Sequence, residues 1–473
     1  MKVALINPIG DNEIRVNLPA FVKENRGFNP PLGLLYVAAY LLKYTQHRVT
    51  VVDCQAEGLN YDSLAARIVA IAPDIAGITT VTMALIDVLK TAALVKKINR
   101  DTRVVLGGPH VHLFPQQTIN LANIDYLVMG EGEEAFRQLL DFIDDKSRLR
   151  GIPGLAFKDQ GQVINTGLAG AIENLDSLPY PARKLTLYRK YTSLLTERDP
   201  TTTVITSRGC PFNCSFCERS HLGKRFRARS AENVVDELAE CAKIGILDFL
   251  FYDDTFTIDK QRVIDICRQI IKNKLKIRWD IRSRVDTVDE ELLSYLKKAG
   301  CCGIHYGVES GTEKILKALN KEISISQIRQ AFKLTRKYRI PTLAYFIIGN
   351  PSETLQDIRQ SFRLMRELNP DYAHISILAP FPGTSIYRQG LESGVIKKDY
   401  WAEFAKNPTA DFKFPYWGEI FTRKQLLDLL NEGYKTFYMR PGYVLKSIFA
   451  LKSLKQFKKK AAAGIELLLS TEK

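Results

Sequence analysis

The 473-residue chain contains no run approaching the roughly 18 uninterrupted apolar residues that a membrane span needs. Its opening, "MKVALINPIG", has the pattern of a strand and lacks the long apolar run and small-residue cleavage site of a secretory signal, so the cytoplasm is the expected compartment. Cysteine is sparse, at eight residues, and so few, scattered through a chain of this size in a reducing compartment, do not make a disulfide framework. Cys54, Cys241, Cys267, Cys301 and Cys302 read as small core residues. There is no internal repeat and no low-complexity segment. One stretch lacks acids altogether: Gly433 to Ile465 holds eight Lys or Arg and no Asp or Glu, within a net charge of +15. Such a surface suits an anionic neighbour, a lipid headgroup layer or nucleic acid.

What is present fits two or three domains. Residues 1–145 alternate short β-branched runs, such as "KVALINP", "RVTVVDC" and "TRVVLGGPH", with amphipathic helical patterns. This predicts an α/β domain with a doubly wound parallel sheet, Rossmann-like, whose ligands bind beyond the carboxyl ends of the strands. Residues 146–196 read as a linker containing a hairpin, "GIPGLAFKDQGQVINTG", and a proline-marked connector. Residues 197–395 resume the alternation as six βα units, a partial (β/α)6 barrel with its site at the C-terminal mouth of the strands. Residues 396–473 read as a basic helical region with a break at Pro441 and Gly442.

The stretch "SRGCPFNCSFCERS" sets Cys210, Cys214 and Cys217 on a loop after the first barrel strand. A four-iron cluster on three thiolates keeps one iron open to a substrate or cofactor. The alternative is a structural zinc ion, with His221 completing a Cys3His set and the protein a non-catalytic binding module. Against zinc, structural sites usually separate two ligand pairs by a dozen or more residues.

The form C-x3-C-x-aromatic-C, with Phe216 in the aromatic slot, resembles the radical S-adenosylmethionine (SAM) superfamily. The resemblance implies that the three cysteines hold a [4Fe–4S] cluster, that SAM chelates the open iron, and that reductive cleavage yields a 5′-deoxyadenosyl radical. It extends over roughly residues 200–390. "FYDDTF" makes Asp253 or Asp254 the SAM-amine contact. "RSRVD" offers Arg284, with Arg282 as rival, to the SAM carboxylate. "GVESG" puts Glu309 and Ser310 in the ribose and carboxylate region, and "FIIGNPSET" corresponds to the glycine motif, with Gly349 and Glu353.

The order of a parallel α/β domain, a linker and a radical SAM barrel resembles the cobalamin-binding subgroup, as do "NPPLGLLYVAAYL", "ITTVTM" and "GGPH". That implies a cobalamin contact from Thr79, Thr80, Thr82, Gly107, Gly108, His110, Gly130 and Gly132. The signature D-x-H-x-x-G is missing: the near match "DCQAEG" has Gln55 in the histidine slot, so no protein histidine is expected on cobalt. A methylthiotransferase would carry a second cysteine trio, and the N-terminal region has Cys54 alone.

The expected activity is C-methyl transfer to an unactivated carbon of a hydrophobic or lipid-like small molecule, as in the group of the anaerobic magnesium-protoporphyrin ester cyclase and the C-methylases. Oxidative cyclisation or rearrangement of a porphyrin or isoprenoid lipid is the alternative. An external electron donor such as flavodoxin or ferredoxin is implied. The stretch "YVLKSIFALKSLKQFKKK" suggests an interfacial helix and peripheral membrane contact; no aromatic-interleaved basic patch supports nucleic-acid binding.

Overall fold

The computed structural model describes residues 1–14, 27–193, 195–218 and 222–449. His221 and residues 450–473 lie outside them, and with them the zinc candidate's fourth ligand and most of the expected interfacial helix, of which Pro441–Phe449 is helical. No helix among the described residues is long and apolar enough to cross a membrane.

In the N-terminal part, β1 (Lys2–Asn7), β2 (Arg48–Asp53), β3 (Ile75–Thr79), β4 (Arg103–Gly107) and β5 (Tyr126–Val128) form a parallel sheet in the order β2-β1-β3-β4-β5. Strand interiors are apolar on both faces because helices cover both: Val3 and Leu5 enter one core, Ala4 and Ile6 the other. Helices α1 (Leu32–Tyr44), α2 (Tyr61–Ile71), α3 (Leu85–Ile98) and α4 (Gly132–Asp141) supply the cover. The strand order reverses direction between β1 and β3, which opens the crevice where such sheets bind ligands.

The hairpin expected within 146–196 is β6 (Leu155–Asp159) and β7 (Gln162–Asn165), turning through Gln160 and Gly161, both at positive φ. It does not stand apart as a linker. β6 pairs antiparallel with β5, which makes the N-terminal sheet seven-stranded.

The second sheet contains β8 (Thr201–Val204), β9 (Asp248–Phe251), β10 (Arg278–Ser283), β11 (Cys301–Glu309), β12 (Thr342–Ile348) and β13 (Tyr372–Ile377), all parallel and in sequential order. Right-handed crossovers between sequential strands put every crossover helix on one face. These are α5 (Ala231–Lys243), α6 (Lys260–Lys272), α7 (Glu290–Lys298), α8 (Ile325–Lys337) and α9 (Leu355–Leu368). Each starts at a cap, Ser230, Asp259, Asp289, Ser324 or Thr354, whose side chain accepts a backbone N–H of the first turn.

The other face is left to the interior. Along β12, Thr342, Ala344, Phe346 and Ile348 are buried, while Leu343, Tyr345 and Ile347 between them are partly accessible, so the barrel has a hollow. The last strand is closed off by α10 (Arg423–Tyr438), which lies in the region read as a tail. Its Tyr434 hydroxyl accepts from Ile375 N at 3.3 Å and donates to Ile375 O at 3.0 Å, and Tyr438 does the same at Ala373. Two phenols thereby satisfy backbone groups that an edge strand would leave open.

Candidate active site

The cysteine loop is held at its base by a two-residue antiparallel pair, Ser207–Arg208 with Arg227–Ala228. Gly209 is the residue that permits it. Its φ is +83°, and a Cβ there would lie 2.3 Å from Arg225 O. Further along, Ser215 N donates to Leu319 O at 2.9 Å, Ile386 N donates to Ser215 O at 3.0 Å, and Asn320 Nδ2 donates to Asn213 O at 2.8 Å. The loop is thus pinned to the segments that follow β11 and β13, at the carboxyl mouth of the barrel. Phe216 packs on the apolar cluster of Leu319, Leu378, Ile386 and Trp417.

The three cysteines are thiols, with Cys210 buried, Cys214 intermediate and Cys217 exposed. Among the described residues no three His, Cys, Asp or Glu converge as ligands of one metal ion. A four-iron cluster takes its three thiolates on three different irons, and the trio on one loop fits that donor set. Of the other five, Cys54, Cys241, Cys267 and Cys301 are buried in the core as expected, and Cys302 is only partly buried; burial pushes the Cys241 and Cys302 thiols up to about 11.

The residues expected at SAM separate into distinct roles. Arg284 lies under the cysteine loop, its guanidinium carbon 3.8 Å from the centroid of the Phe212 ring and its Nη1 4.0 Å from Cys214 Sγ. Asp286 holds it through two hydrogen bonds of 2.9 Å. Asp253 is buried and turned towards the strand exit, accepting from Thr206 N at 2.6 Å and from the Thr206 hydroxyl. It positions the start of the cysteine loop, and its neighbour Asp254 is the more exposed of the two.

Glu309, at φ +65°, is paired with Lys321 Nζ at 2.7 Å, both buried. Gly307 makes room for the pair, since a Cβ there would lie 2.4 Å from Glu309 Oε1. Ser310 is fully buried, its hydroxyl 3.3 Å from that of Ser361 on α9. Its contact is with the helix layer, and it offers no accessible surface. Gly349 turns at φ +78° beside Leu426 and donates its N–H to Glu353 at 2.6 Å.

At the other sheet, the ends of β3 and β4 are zipped together. Thr80 N donates to Gly107 O at 2.7 Å and His110 N donates to Thr80 O at 3.2 Å. Gly108, at φ +115°, allows the contact, since a Cβ would lie 2.7 Å from Thr80 O. Thr79 and Val81 remain accessible on the crest, with Val81 38% exposed. His110 is fully buried, its ring nitrogens each 3.1 Å from a threonine hydroxyl, Thr82 and Thr118. Burial pushes its imidazole down to about 3, so it stands as a neutral internal strut. Gln55, in the histidine slot, donates to Pro8 O at 3.3 Å.

Gly130 and Gly132 also depart from expectation. They follow β5, two strands from the switch point, where Gly130 packs against Ala169 at φ +88°. Between and after them Glu131 and Glu133 turn to the barrel: Glu131 pairs with Arg208 at 3.0 Å and Arg227 at 2.5 Å, and Glu133 with Arg208 at 2.5 Å. Burial alone would raise the Glu131 carboxyl, but the hydrogen bond from Arg227 and the charge of Arg208 hold it below the usual carboxylate range. Nothing in "GEGE" distinguishes a ligand loop from this clamp, because the partner arginines are 75 to 96 residues away. An apolar cluster completes the interface, joining Met83, Leu113 and Phe114 to Phe381, Trp401 and Phe414.

The residues missed by sequence reading line the barrel hollow: Asp280, His305, Tyr345 and His374. Their signal was present as polar side chains on one parity of otherwise apolar strands, "GIHYGVE", "LAYFII" and "AHISI".

The Radical SAM superfamily signature matches residues 204–365 and the B12 binding domain signature residues 20–140. An uncharacterised methyltransferase of Pyrococcus horikoshii is 37% identical over 89% of this chain and 90% of its own. The anaerobic magnesium-protoporphyrin IX monomethyl ester cyclase of Rubrivivax gelatinosus is 30% identical over 88% of this chain and 75% of its own. The fold is that of the cobalamin-dependent S-adenosylmethionine radical enzyme OxsB with aqua-cobalamin and S-adenosylmethionine bound, at a TM-score of 0.76 and 18% identity over 99% of this chain and 72% of that one.

The chain belongs to the radical SAM superfamily, in the subgroup that carries a B12-binding domain. It is an enzyme of the methyltransferase-like, cobalamin-dependent kind, whose cofactors are a [4Fe–4S] cluster, SAM and cobalamin. Membership removes the reading as a non-catalytic zinc protein.

Proposed function

We propose that this enzyme transfers a methyl group to an unactivated carbon of a small molecule with an apolar body, bound in the barrel hollow. The observation that supports this most is the apposition of two ligand-bearing strand-end sets. The crest after β3 and β4 and the cysteine loop after β8 belong to different sheets, yet the Glu131 clamp and the Met83–Trp401 cluster hold the two mouths against each other. Bound there, the cluster and SAM would supply a substrate-activating radical, and cobalamin a transferable methyl group.

The chain's own part is to hold these groups and the substrate in place. Cys210, Cys214 and Cys217 would bind the cluster, with Arg284, Asp254, the Glu309–Lys321 pair and the turn at Gly349 around SAM. The Thr79, Thr80, Val81 and Thr82 crest, backed by Gly107, Gly108 and the internal strut His110, would receive the corrin. Partly accessible Leu343 and Ile347 give the hollow apolar surface. A low-potential protein such as flavodoxin or ferredoxin would deliver the electron, and the basic C-terminal region would bring the enzyme to a membrane surface where an apolar substrate resides.

A second reading, oxidative cyclisation, is favoured by the 30% identity to the cyclase. Anaerobically reconstituted enzyme given cobalamin, SAM, a reductant and candidate substrates separates the two. Methyl transfer gives 5′-deoxyadenosine and S-adenosylhomocysteine together in equal amounts. 5′-Deoxyadenosine without S-adenosylhomocysteine, accompanied by an oxidised product, would replace methyl transfer by cyclisation.

A further inference from the structure

Arg282 lies on the inner face of β10, partly accessible in the hollow. Its guanidinium carbon stands 3.7 Å from the centroid of the Tyr252 ring, and its charge opposes the burial that raises the Tyr345 phenol. The surroundings are organised in series. Tyr345 OH lies 3.4 Å from His305 Nδ1, and His305 Nε2 lies 3.4 Å from Asp280 Oδ2. His374 meets the Tyr345 ring edge-on at 5.5 Å between centroids, and Asn29 of the N-terminal domain donates to Tyr252 OH at 3.0 Å.

Several of the other interior and interface arginines carry their own counter-charges, while buried Arg262 donates to the backbone carbonyls of Arg229 and Thr206. Arg183 and Arg229 share Glu237, Arg208 and Arg227 share Glu131, and Arg284 has Asp286. Arg282 has no carboxylate at ion-pair distance among the described residues; the one acid beside it on the inner face, Asp280, is taken up by His305. A guanidinium stacked on an aromatic ring is fixed in orientation, with N–H groups left for a planar, twofold acceptor.

We infer that Arg282 is the anchor for an anionic group, a carboxylate or phosphate, on the substrate of this enzyme. This rests on the reading of the hollow as the substrate site. It makes the substrate amphiphilic: an acid at Arg282 and an apolar body along Leu343 and Ile347. The other anion that enters the barrel is the carboxylate of SAM, for which Arg284 beside Cys214 is the guanidinium at the cysteine loop.

Equilibrium dialysis of the reconstituted, SAM-saturated holoenzyme against 2-naphthoate and its uncharged amide tests the assignment. The acid should be held about ten- to a hundredfold more tightly than the amide, the ratio of one charge-assisted pair. Arg282→Met should bring the acid down to the level of the amide, with iron content and SAM affinity unchanged, and Arg282→Lys should retain part of the preference. Equal binding of acid and amide, or acid binding indifferent to Arg282→Met, would overturn the proposal. So would a tenfold loss of SAM affinity in Arg282→Met, which would give the guanidinium to SAM. The radical reading has its own readout on the same preparation: absence of 5′-deoxyadenosine from the reduced wild type would remove that reading while leaving the anion preference measurable.

Discussion

Arg208, at the base of the cysteine loop, and Glu131, after the last parallel strand of the N-terminal sheet, form a buried ion pair at 3.0 Å across the two domains. Glu131 also holds Arg227 on the opposite side of the same loop base. One carboxylate therefore closes the loop and docks the B12-binding domain.

Removing that carboxylate leaves two buried guanidinium groups short of charge. Glu131→Ala should cost about 3–5 kcal/mol, seen as a lowered thermal midpoint, and should reduce the iron retained after reconstitution because both ends of the loop base are released. Glu133→Ala removes only one of the two carboxylates on Arg208, which keeps Glu131, and should cost less.

Gly209→Ala puts a Cβ against Arg225 O in a left-handed backbone conformation. The strain, about 1–3 kcal/mol, falls on the loop and not on the barrel core. Iron and sulfide content should drop while the far-ultraviolet circular dichroism stays that of the wild type.

Alanine at Cys210, Cys214 or Cys217 should abolish the broad visible absorbance and the iron, about four per chain, of the anaerobically reconstituted protein. Cys241→Ala and Cys267→Ala, which only thin the helix-side core, should keep the iron.

Burial pushes the Glu353 carboxyl up to about 7, against hydrogen bonds from Asn350 and Gly349. A carboxyl whose folded value lies above its unfolded value near 4.3 binds an extra proton in the folded state between the two. Its stabilisation is complete below the lower value and is lost as pH rises towards 7, by roughly 3 kcal/mol in all. Relative to wild type, Glu353→Gln should therefore gain thermal midpoint progressively from pH 5 to pH 7.5. A difference between the two proteins that does not change with pH would disprove it.

Gly108→Val should break the zipper between Thr80 and the β4 end, where even a Cβ has 2.7 Å of room. The expected result is loss of the bound-corrin absorbance after reconstitution, with the iron content unchanged.

The local chemistry was legible where a function is carried by neighbours in sequence. Three cysteines in eight positions, the alternation of strands and helices, and the caps that start α5 to α9 are all short-range patterns that constrain the backbone directly. Cys210, Arg284 and Gly349 could be located from their motifs for that reason. The burial of Ser310 and His110 was not legible, because it depends on Ser361 and Thr118, which other segments bring. The surroundings of Gly130 and Gly132 were hidden for the same cause at longer range: the use of the glutamates beside them is set by Arg208 and Arg227.

By itself the sequence determined two parallel α/β sheets, the loop with its three thiols, and the absence of a histidine in the D-x-H-x-x-G slot. Spacing and side-chain chemistry suffice for these. Only the tertiary structure decided that the hairpin extends the first sheet, that Glu131 locks the cysteine loop to the cobalamin-type domain, and that no carboxylate among the described residues stands at ion-pair distance from Arg282. Those outcomes depend on which charges and faces meet after the chain has closed on itself, and a buried charge acquires its meaning from its partner.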